Sequence, residues 1–420
     1  MKGFFNSQKG TGILFDNVYL AAGIRTGFGK YCGSLSRISP TDLGIVASRG
    51  VMKKAGISPA DIHQVIAANI GQSSGDAYFL PRHISLFAGI PEVIPSLMVQ
   101  RICGSGFETI ITAGEQITLG KGNMVMCVGT ENMSLSPTAA FGNRMGYNLG
   151  RPAFIDMLWE ALDDTAAGYP MGFTAENVAT RYKITREECD TYAMLSFERA
   201  LAAVARKFFD DEITPVETAV FEIEGLKSRK IKVQAPFAKD EHLRPTTMDA
   251  LAKLPPVFTK VGVLSAGNCS GIVDGAAAMI VADKQTIQSK NIKPMARIVG
   301  AASCGIDPKV MGLGPVPAIR FLLEQTGLTI DQIGLVEINE AFSAQVIGCE
   351  RELGLDRNKL NVNGGAIALG HPLAATGGRL SLTISREMAA RKVKYGIASA
   401  CIGGGQGTAI LLENPEASAK

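Results

Sequence analysis

The chain has 420 residues, of which 46% are hydrophobic and 19% are charged, and its formal net charge is +3. This composition excludes a disordered chain, and so small a net charge argues against partners such as nucleic acid or a membrane surface. The eight cysteines do not form a disulfide scaffold in a chain this long, and none falls in a CxxC pair, so we expect no metal site. No apolar run resembles a signal core or a membrane span, which predicts a cytoplasmic protein, and the length predicts two or three domains.

The first predicted elements alternate between strand and helix, as in α/β proteins. Residues 13–26 predict a strand, and an amphipathic helix is expected from Asp42 to about Lys54, closed by Gly56. The segment SPADIHQVIAANI then gives a second capped start and a second strand.

A cysteine follows in VQRICGSGFETI, residues 99–110. Val93 to Ile102 is apolar and rich in β-branched residues, which predicts a buried strand, and the residues after Cys103 have helical periodicity. A thiol at a helix N-terminus should have a lowered pKa and act as a nucleophile. The alternative is a cysteine that only packs at a strand end, which is the commoner role of a lone buried thiol.

Residues 134–264 differ in character from the chain on either side of them. They contain a loop rich in Ser, Pro and Gly (134–153), two predicted helices, and a hairpin. Thr185 and Glu188 form a predicted capping box at the start of the longer helix. We expect this insertion to cover an active site. Its hairpin carries a basic cluster that we interpret as a solvated face rather than a phosphate-binding rim: Lys227, Arg229, Lys230 and Lys232.

The same order of predicted strands and helices occurs twice along the chain. Matching residues lie 271 positions apart in three pairs: Gly56 and Gly327, Ile62 and Ile333, Val65 and Val336. The same step leads from Cys103 to Ala374, and from Thr130 to Cys401. A period this long indicates a duplication of one domain rather than a solenoid, with strands and helices alternating in each copy.

Reactive side chains also stand in the second copy. His371 lies in NVNGGAIALGHPLAATGG, whose density of glycine indicates close backbone approach, so this histidine could take the proton of a thiol. Cys401 begins CIGGGQG after a predicted strand, where backbone N–H groups could form an oxyanion hole. Asn339 and Glu340 follow another strand and should lie at the carboxyl edge of a sheet.

Six segments together resemble the thiolase family over essentially the whole chain, in the family's order and spacing: ICGSG, MGFTAENVA, LSAGNCSGIVDGAA, NEAF, GGAIALGHPLAATGGR and CIGGGQG. The resemblance implies a five-layered αβαβα fold of two duplicated halves with an inserted loop domain. Residues 1–133 would form the N-terminal half, completed by about 265–293. Residues 134–264 would be the loop domain, and 294–420 the C-terminal half.

The resemblance also implies roles in a reversible, CoA-dependent cleavage of a 3-oxoacyl-CoA with ping-pong kinetics. Cys103 would be the nucleophile that becomes acylated, His371 its activating base, and Cys401 the acid/base at the α-carbon. Asn339 would hold a water in a first oxyanion hole together with His371. The backbone N–H groups of Cys103 and Gly403 would form a second hole.

Coenzyme A is implied as a co-substrate, with no tightly bound cofactor. Positions that match the pantetheine tunnel of the family are Met171, Ala266, Ser270, Ala341 and Phe342. Arg244 would lie near the adenine nucleotide. The implied partners are acyl-CoA, CoA and further copies of the chain, as a homodimer or homotetramer, with a small accessory subunit as a further possibility.

Two departures from the short-chain pattern concern the acyl group. Pro170 precedes Met171 where short-chain thiolases have histidine, and Gln100 stands where asparagine is usual. These changes, with bulky residues in TAAFGNRMGYNLGRPAFIDMLWEAL, predict an acyl chain that is longer, branched or aromatic. The alternatives are a decarboxylating ketoacyl synthase, which lacks the second cysteine, and a thiolase-like subunit or lipid carrier that acts only with a partner protein.

Overall fold

The computed structural model describes residues 3–147 and 149–417. Before residue 134 it has seven strands and three helices: β1 (Phe4–Ser7), β2 (Gly10–Leu14), β3 (Val18–Thr26), β4 (Gly29–Lys30), α1 (Pro40–Ala55), β5 (Gln64–Ala68), α2 (Leu80–Phe87), β6 (Ser96–Met98), α3 (Ser105–Thr118) and β7 (Met124–Glu131). The insertion has short strands and four helices: β8 (Thr138–Ala139), β9 (Ile155–Asp156), α4 (Met157–Glu160), β10 (Asp163–Asp164), β11 (Tyr169–Pro170), α5 (Met171–Tyr182), α6 (Arg186–Ala205), β12 (Ile213–Thr214), β13 (Ala219–Phe221), β14 (Arg229–Ile231) and α7 (Met248–Ala252). The remainder has long strands and further helices: β15 (Val273–Asp283), α8 (Lys284–Ser289), β16 (Ala296–Gly305), α9 (Pro315–Thr326), β17 (Leu335–Ile338), α10 (Ser343–Leu353), α11 (Ala366–Leu369), α12 (Thr376–Arg391), β18 (Tyr395–Ile402) and β19 (Gln406–Glu413).

The main sheet joins two similar sets of strands. Its order is β17-β18-β19-β16-β3-β15-β7-β5-β6, so the two sets meet where β16 pairs with β3. Strand β5 pairs in parallel with both β7 and β6, and β17 pairs in parallel with β18, whereas the other pairings along this order are antiparallel. The starts of β5 and β17, and of β7 and β18, are each 271 residues apart, which confirms the duplication.

Helices cover both outer faces and fill the space between the two sets of strands. Helices α1 and α2 pack on the first set, and α9 and α10 pack on the second. Between the sets, α3 and α12 pack against each other in a core that includes Phe107, Leu380 and Leu382. The order of layers is therefore helix, sheet, helix, sheet, helix, and the five-layered αβαβα fold is confirmed.

Several local predictions are confirmed at the level of individual residues. Gly56 and Gly327 end α1 and α9 in the left-handed conformation, with φ of 67° and 69°. Thr185 and Glu188 form the capping box of α6. The strand predicted over residues 13–26 is interrupted, because β2 ends at Leu14 and β3 begins at Val18.

The buried strand predicted from Val93 to Ile102 is wrong. Only Ser96–Met98 is a strand, and it is partly exposed because β6 lies at the edge of the sheet and pairs with β5 alone among the described strands. Apolar β-branched sequence cannot distinguish an edge strand from a central one.

The insertion is joined to both halves by side chains. Helices α5 and α6 pack on α10 and α11 of the second half. On the other side, Arg229 of β14 forms ion pairs with Asp42 (2.8 Å) and Asp76 (2.7 Å) of the first half. Arg229 is therefore a structural link and not part of a solvated face, whereas the three lysines of the same cluster are exposed as expected.

Candidate active site

Cys103 lies in a single 3-10 turn, Ile102–Gly104, directly before α3. The residue before it, Ile102, has a φ of 43°, a left-handed conformation that costs a β-branched residue about 1–3 kcal/mol. A Cβ at Gly104 would lie 2.5 Å from the Ile402 side chain, so glycine is needed for the turn to meet the end of β18. The predicted helix N-terminus at Cys103 is thus confirmed, and a strained backbone directs the thiol toward the second half of the chain.

Burial dominates the electrostatics of this thiol. Cys103 is only 7% exposed, and burial raises its pKa to about 11, although the nearby backbone N–H groups of Gly403 and of Cys103 itself act in the opposite direction. The lowered pKa expected from the helix N-terminus is therefore wrong, because the loss of hydration outweighs those favourable interactions. In the resting state the sulfur is a neutral thiol, and a base is required to activate it.

His371 is held in one tautomer by its own loop. The Thr376 hydroxyl donates to the Pro372 carbonyl (3.0 Å), so it accepts a hydrogen bond from Nδ1 of His371 (2.6 Å). That places the ring proton on Nδ1 and leaves Nε2 as an acceptor. Burial and the nearby Arg379 lower the pKa of His371 to about 3, so the ring is neutral and Nε2 keeps its lone pair.

Asn339 lies at the carboxyl end of β17, as predicted, with its amide nitrogen 3.3 Å from Nε2 of His371. Its Oδ1 is buried and has no hydrogen-bond partner among the described residues. A buried amide oxygen without a partner is a natural position for a bound water. This geometry fits the water-binding role that the sequence suggested.

Cys401 is 1% exposed near the end of β18, packed against Met171, Met311 and Ala341. Burial raises its pKa well above the ordinary value, and the neighbouring thiols of Cys103 and Cys349 add to the effect. The two predicted cysteines therefore lie within electrostatic range of each other.

The loop that carries His371 also reaches Cys103. The turn Leu373–Ala375 packs against the turn Ile102–Gly104, and a Cβ at Gly106 would lie 2.6 Å from the Ala374 carbonyl oxygen. No direct hydrogen bond links Cys103, His371 and Cys401 to one another within the described ranges. They converge from three segments on one buried region, at the junction of the two halves.

Comparisons with known proteins agree with this arrangement. The thiolase N-terminal domain model matches residues 18–285, and the thiolase C-terminal domain model matches residues 292–414. The chain belongs to the thiolase family. It is 45% identical over 403 residues to the mitochondrial 3-ketoacyl-CoA thiolase of Bos taurus, covering 96% of this chain and 99% of that protein. It is 43% identical to an acetyl-CoA acetyltransferase of Syntrophomonas wolfei, covering 94% of this chain and 98% of that protein.

Solved structures give the same result. The human mitochondrial 3-ketoacyl-CoA thiolase in complex with CoA superposes with a TM-score of 0.90 at 43% identity, covering 96% of this chain and 98% of that one. The acetyl-CoA acetyltransferase of Bacillus anthracis gives a TM-score of 0.88 at 38% identity, covering 95% and 99%. This thiolase is thus an acyltransferase that catalyses CoA-dependent cleavage of a 3-oxoacyl-CoA or the reverse condensation, and the carrier and ketoacyl synthase alternatives are not favoured.

Glu340, the second residue of NEAF, is a structural residue in this thiolase. Its carboxylate accepts hydrogen bonds from Tyr192 (3.0 Å), Ser196 (2.6 Å), Asn361 (3.0 Å) and the backbone N–H of Ile367 (3.2 Å). Since four donors satisfy it, it ties the insertion to the loop that leads to His371 and is not free for proton transfer.

Glu131 has a similar role in the first half, which no motif in the sequence indicated. It accepts hydrogen bonds from Asn69 Nδ2 (2.9 Å) and from the backbone N–H groups of Ile70 (3.2 Å), Gly71 (2.9 Å) and Ala374 (3.1 Å). Burial raises its pKa to about 7. One carboxylate thus connects the end of β5 to the loop that follows His371.

The residues predicted to line a pantetheine tunnel run from the surface to the cysteines. Ala266 is exposed, Ser270 is half-buried and donates its N–H to the Ala341 carbonyl (3.0 Å), and Met171 and Ala341 are buried beside Cys401. Phe342 packs edge to face on Phe258 in the same region. A Cβ at Gly403 would overlap the Met171 side chain, so glycine brings this wall close to Cys103.

Arg244 is exposed on the insertion, where its Nη1 donates to the carbonyl of His242 (3.1 Å) and its guanidinium lies 5.4 Å from the ring centroid of Phe197. Its charge is free to meet an anionic group arriving from solvent, which fits its predicted place near the nucleotide. The described residues contain no cluster of His, Cys, Asp and Glu that could bind a metal. Within the same residues, no helix is both long and apolar enough to cross a bilayer.

A cavity of about 500 Å³ opens next to the turn that carries Cys103. Its wall includes Gln100 and Met171, and also Ile102, the neighbour of Cys103. The bulky residues predicted to form a pocket wall do not do so, because Phe141, Met145, Leu149, Phe154 and Trp159 are exposed at the surface. Among the described apolar residues of that stretch, Met157 and Ala161 line the cavity, while Leu158 packs against Cys103.

Proposed function

We propose that this thiolase cleaves 3-oxoacyl-CoA substrates through an acyl group held on Cys103. The observation that carries the proposal is the backbone N–H of Gly403, which comes from the second half and lies close enough to the sulfur contributed by the first to lower its pKa. Because the same N–H and that of Cys103 can bind a carbonyl oxygen placed at the sulfur, they supply the second oxyanion hole.

The first half-reaction begins with His371 Nε2 taking the proton of the Cys103 thiol. The thiolate attacks C3 of the substrate, and the negative charge moves to the oxygen held by the two N–H groups. When the C2–C3 bond breaks, its electron pair forms the enolate of acetyl-CoA, and the Cys401 thiol protonates that carbon. The water bound to Asn339, with His371, stabilises the enolate oxygen.

The second half-reaction returns the enzyme to its resting state. The Cys401 thiolate takes the proton of an incoming CoA thiol, whose sulfur attacks the acyl group on Cys103. The C–S bond to Cys103 breaks, and that sulfur recovers its proton from the imidazolium of His371. Acyl-CoA leaves, and no charge or proton is left over. This sequence of two half-reactions gives ping-pong kinetics.

Coenzyme A binds, on this proposal, with its pantetheine along Met171, Ala266, Ser270, Ala341 and Phe342 and its nucleotide near Arg244. The gradient of burial along these residues supports that direction. Substitution of Arg244 by Ala should raise the KM for CoA with little change in kcat, as expected when only ground-state binding is lost.

The acyl chain occupies the cavity lined by Gln100 and Met171. Its volume supports a chain larger than that of acetoacetyl-CoA. The test is a panel of 3-oxoacyl-CoA substrates of increasing length, assayed for CoA-dependent cleavage. Faster cleavage of acetoacetyl-CoA than of every larger substrate would contradict the size assignment, and no cleavage of any substrate would contradict the proposed function.

We further propose that the chain acts as a homo-oligomer. β6 leaves one edge of the main sheet without a partner strand among the described residues, and Leu97 on it is 38% exposed. An exposed edge strand is a site for pairing with a second chain. Light scattering during size exclusion should give a dimer or tetramer, and a monomer at assay concentrations would contradict this.

A further inference from the structure

The cavity beside Cys103 has an acidic wall. Three of its lining residues are carboxylates, Glu160, Asp163 and Asp164, and none of the lining residues is a lysine or arginine. Two glutamines, Gln72 and Gln100, contribute polar atoms to the same wall. A cavity for a simple hydrocarbon chain would be expected to have a mainly apolar lining.

The two aspartates are fixed by the backbone that carries them. Asp163 and Asp164 form β10, which pairs with Tyr169 and Pro170 of β11, and β11 leads directly into Met171. One oxygen of Asp164 accepts the backbone N–H groups of the turn that joins the two strands, from Ala166 (2.9 Å) and Ala167 (3.2 Å). The pairing of β10 with β11 therefore fixes both carboxylates relative to Met171, whose side chain lies against Gly403.

Each aspartate has a second, unsatisfied oxygen. Oδ2 of Asp164, a residue only 9% exposed, and Oδ1 of Asp163 are buried and have no hydrogen-bond partner in the described structure. The residue opposite Asp163 is Pro170, which offers neither a backbone N–H nor a side-chain donor. Buried carboxylate oxygens without a donor or cation are unfavourable. Neighbouring atoms cover these two oxygens, so a positively charged group in the cavity would be stabilised by their negative charge through space rather than by direct contact.

We propose that this thiolase transfers acyl chains that end in a cationic group, such as a substituted ammonium, and discriminates against chains that end in a carboxylate. The inference rests on the proposed function, since it assigns the cavity to the acyl chain on Cys103. The cation lies near Asp163 and Asp164 with Glu160 at the cavity mouth, while the carbonyl stays at the sulfur.

Three acyl-CoA donors with the same three-methylene linker separate charge from size: 4-(trimethylammonio)butanoyl-CoA, its neutral isostere 5,5-dimethylhexanoyl-CoA, and glutaryl-CoA. Intact-protein mass measured over time gives the second-order rate of acylation of the full-length enzyme. The cationic donor should react about tenfold faster than the neutral one, and glutaryl-CoA about tenfold slower, from one or two charge interactions at intermediate dielectric.

The variant Asp163→Asn, alone and with Glu160→Gln, should reduce the cationic-to-neutral ratio of acylation rates toward one. Asp331→Asn, at an exposed residue in the second half, removes the same charge at a distance and should leave the ratio intact. Equal or faster acylation by the neutral donor in the wild-type enzyme would overturn the inference. Cleavage of 3-oxohexanoyl-CoA, measured beside it, tests the proposed function separately, because that substrate carries no terminal charge.

Discussion

The two halves of this thiolase share a backbone and differ in what they place on it. Helices α3 and α12 begin 271 residues apart, and each follows a single 3-10 turn, Ile102–Gly104 or Leu373–Ala375. The first turn carries Cys103, whereas the second has Ala374 at the equivalent position. Near the ends of the matching strands β7 and β18, the cysteine belongs to the second half instead, since Cys401 there corresponds to Thr130 in the first half.

The same comparison places His371 opposite Gln100, again at a distance of 271 residues. On the proposed mechanism, the first half supplies the thiol that is acylated, and the second supplies the base, the acid and the N–H of Gly403. The equivalent loops of the two halves meet at the centre of the duplicated fold, and they carry different side chains at matching positions. The order of strands and helices is therefore duplicated, whereas the reactive side chains are not.

Removing the nucleophile should have the largest effect on this division of roles. Cys103→Ser should lower kcat by about 10³-fold or more, because a serine hydroxyl is far less acidic than a thiol and His371 is neutral and weakly basic. Steady-state thiolysis measures the loss. Cys127→Ala is the matched control, since it removes a buried thiol of the same half that donates to the Thr109 carbonyl, and activity within about twofold of wild type is expected. Comparable losses in both variants would show that the thiolysis defect reflects packing.

The second cysteine should separate the two halves of the reaction. Cys401→Ser should lower thiolysis by about 10²–10⁴-fold, since proton transfer at the α-carbon is lost, while the enzyme still becomes acylated at Cys103. Quenched samples analysed by intact mass report acylation independently of turnover. A variant that turns over normally, or one that no longer accepts an acyl group, would assign Cys401 a different role.

The hydrogen bond that fixes the tautomer of His371 can be tested without touching His371. Thr376→Val removes the acceptor for Nδ1–H, so kcat should fall by about 10–100-fold with a smaller change in KM, whereas Thr376→Ser should restore most of the activity. Equal activity of the valine and serine variants would show that the ring is oriented by packing alone.

The buried thiol predicts a distinct pH dependence. Since the pKa of Cys103 is raised to about 11, the thiolate is scarce at neutral pH, and alkylation by iodoacetamide should accelerate as pH rises through the alkaline range. The sign follows from burial, which favours the neutral form. The rate at Cys103 is measured by peptide mapping, with the unfolded protein as the reference. A rate that levels off below pH 8 would indicate a preformed thiolate–imidazolium pair.

The smallest expected effect is on stability. Glu340→Gln replaces one carboxylate oxygen by an NH₂ group that faces donors, so we expect a loss of about 1–3 kcal/mol in the free energy of unfolding. Chemical denaturation measures it, and Glu352→Gln, at a partly exposed surface carboxylate, is the control. Unchanged stability would show that the four hydrogen bonds to Glu340 contribute little.

Much of this arrangement could be predicted from the sequence. The spacing of Gly56 and Gly327 revealed the duplication, because glycine is favoured where a helix ends in the left-handed conformation. The glycines around Cys103, His371 and Cys401 marked the loops that approach each other closely.

What could not be predicted depends on three-dimensional surroundings. Burial reverses the pKa expected for Cys103, and Thr376 selects the tautomer of His371 from a helix that begins five residues later. The role of Glu131 arises because backbone N–H groups from distant segments meet at its carboxylate. The bulky residues of the insertion lie at the surface, and composition alone does not tell a cavity wall from an exposed loop.

The most direct test of the account is the location of the acyl group. Wild-type enzyme is incubated with acetyl-CoA, quenched in acid, digested, and mapped by mass spectrometry. The account predicts one acetyl group per chain on the peptide that contains Cys103, with none on the peptide that contains Cys401. An acetyl group on Cys401, or no stable adduct on either cysteine while the enzyme turns over, would contradict it.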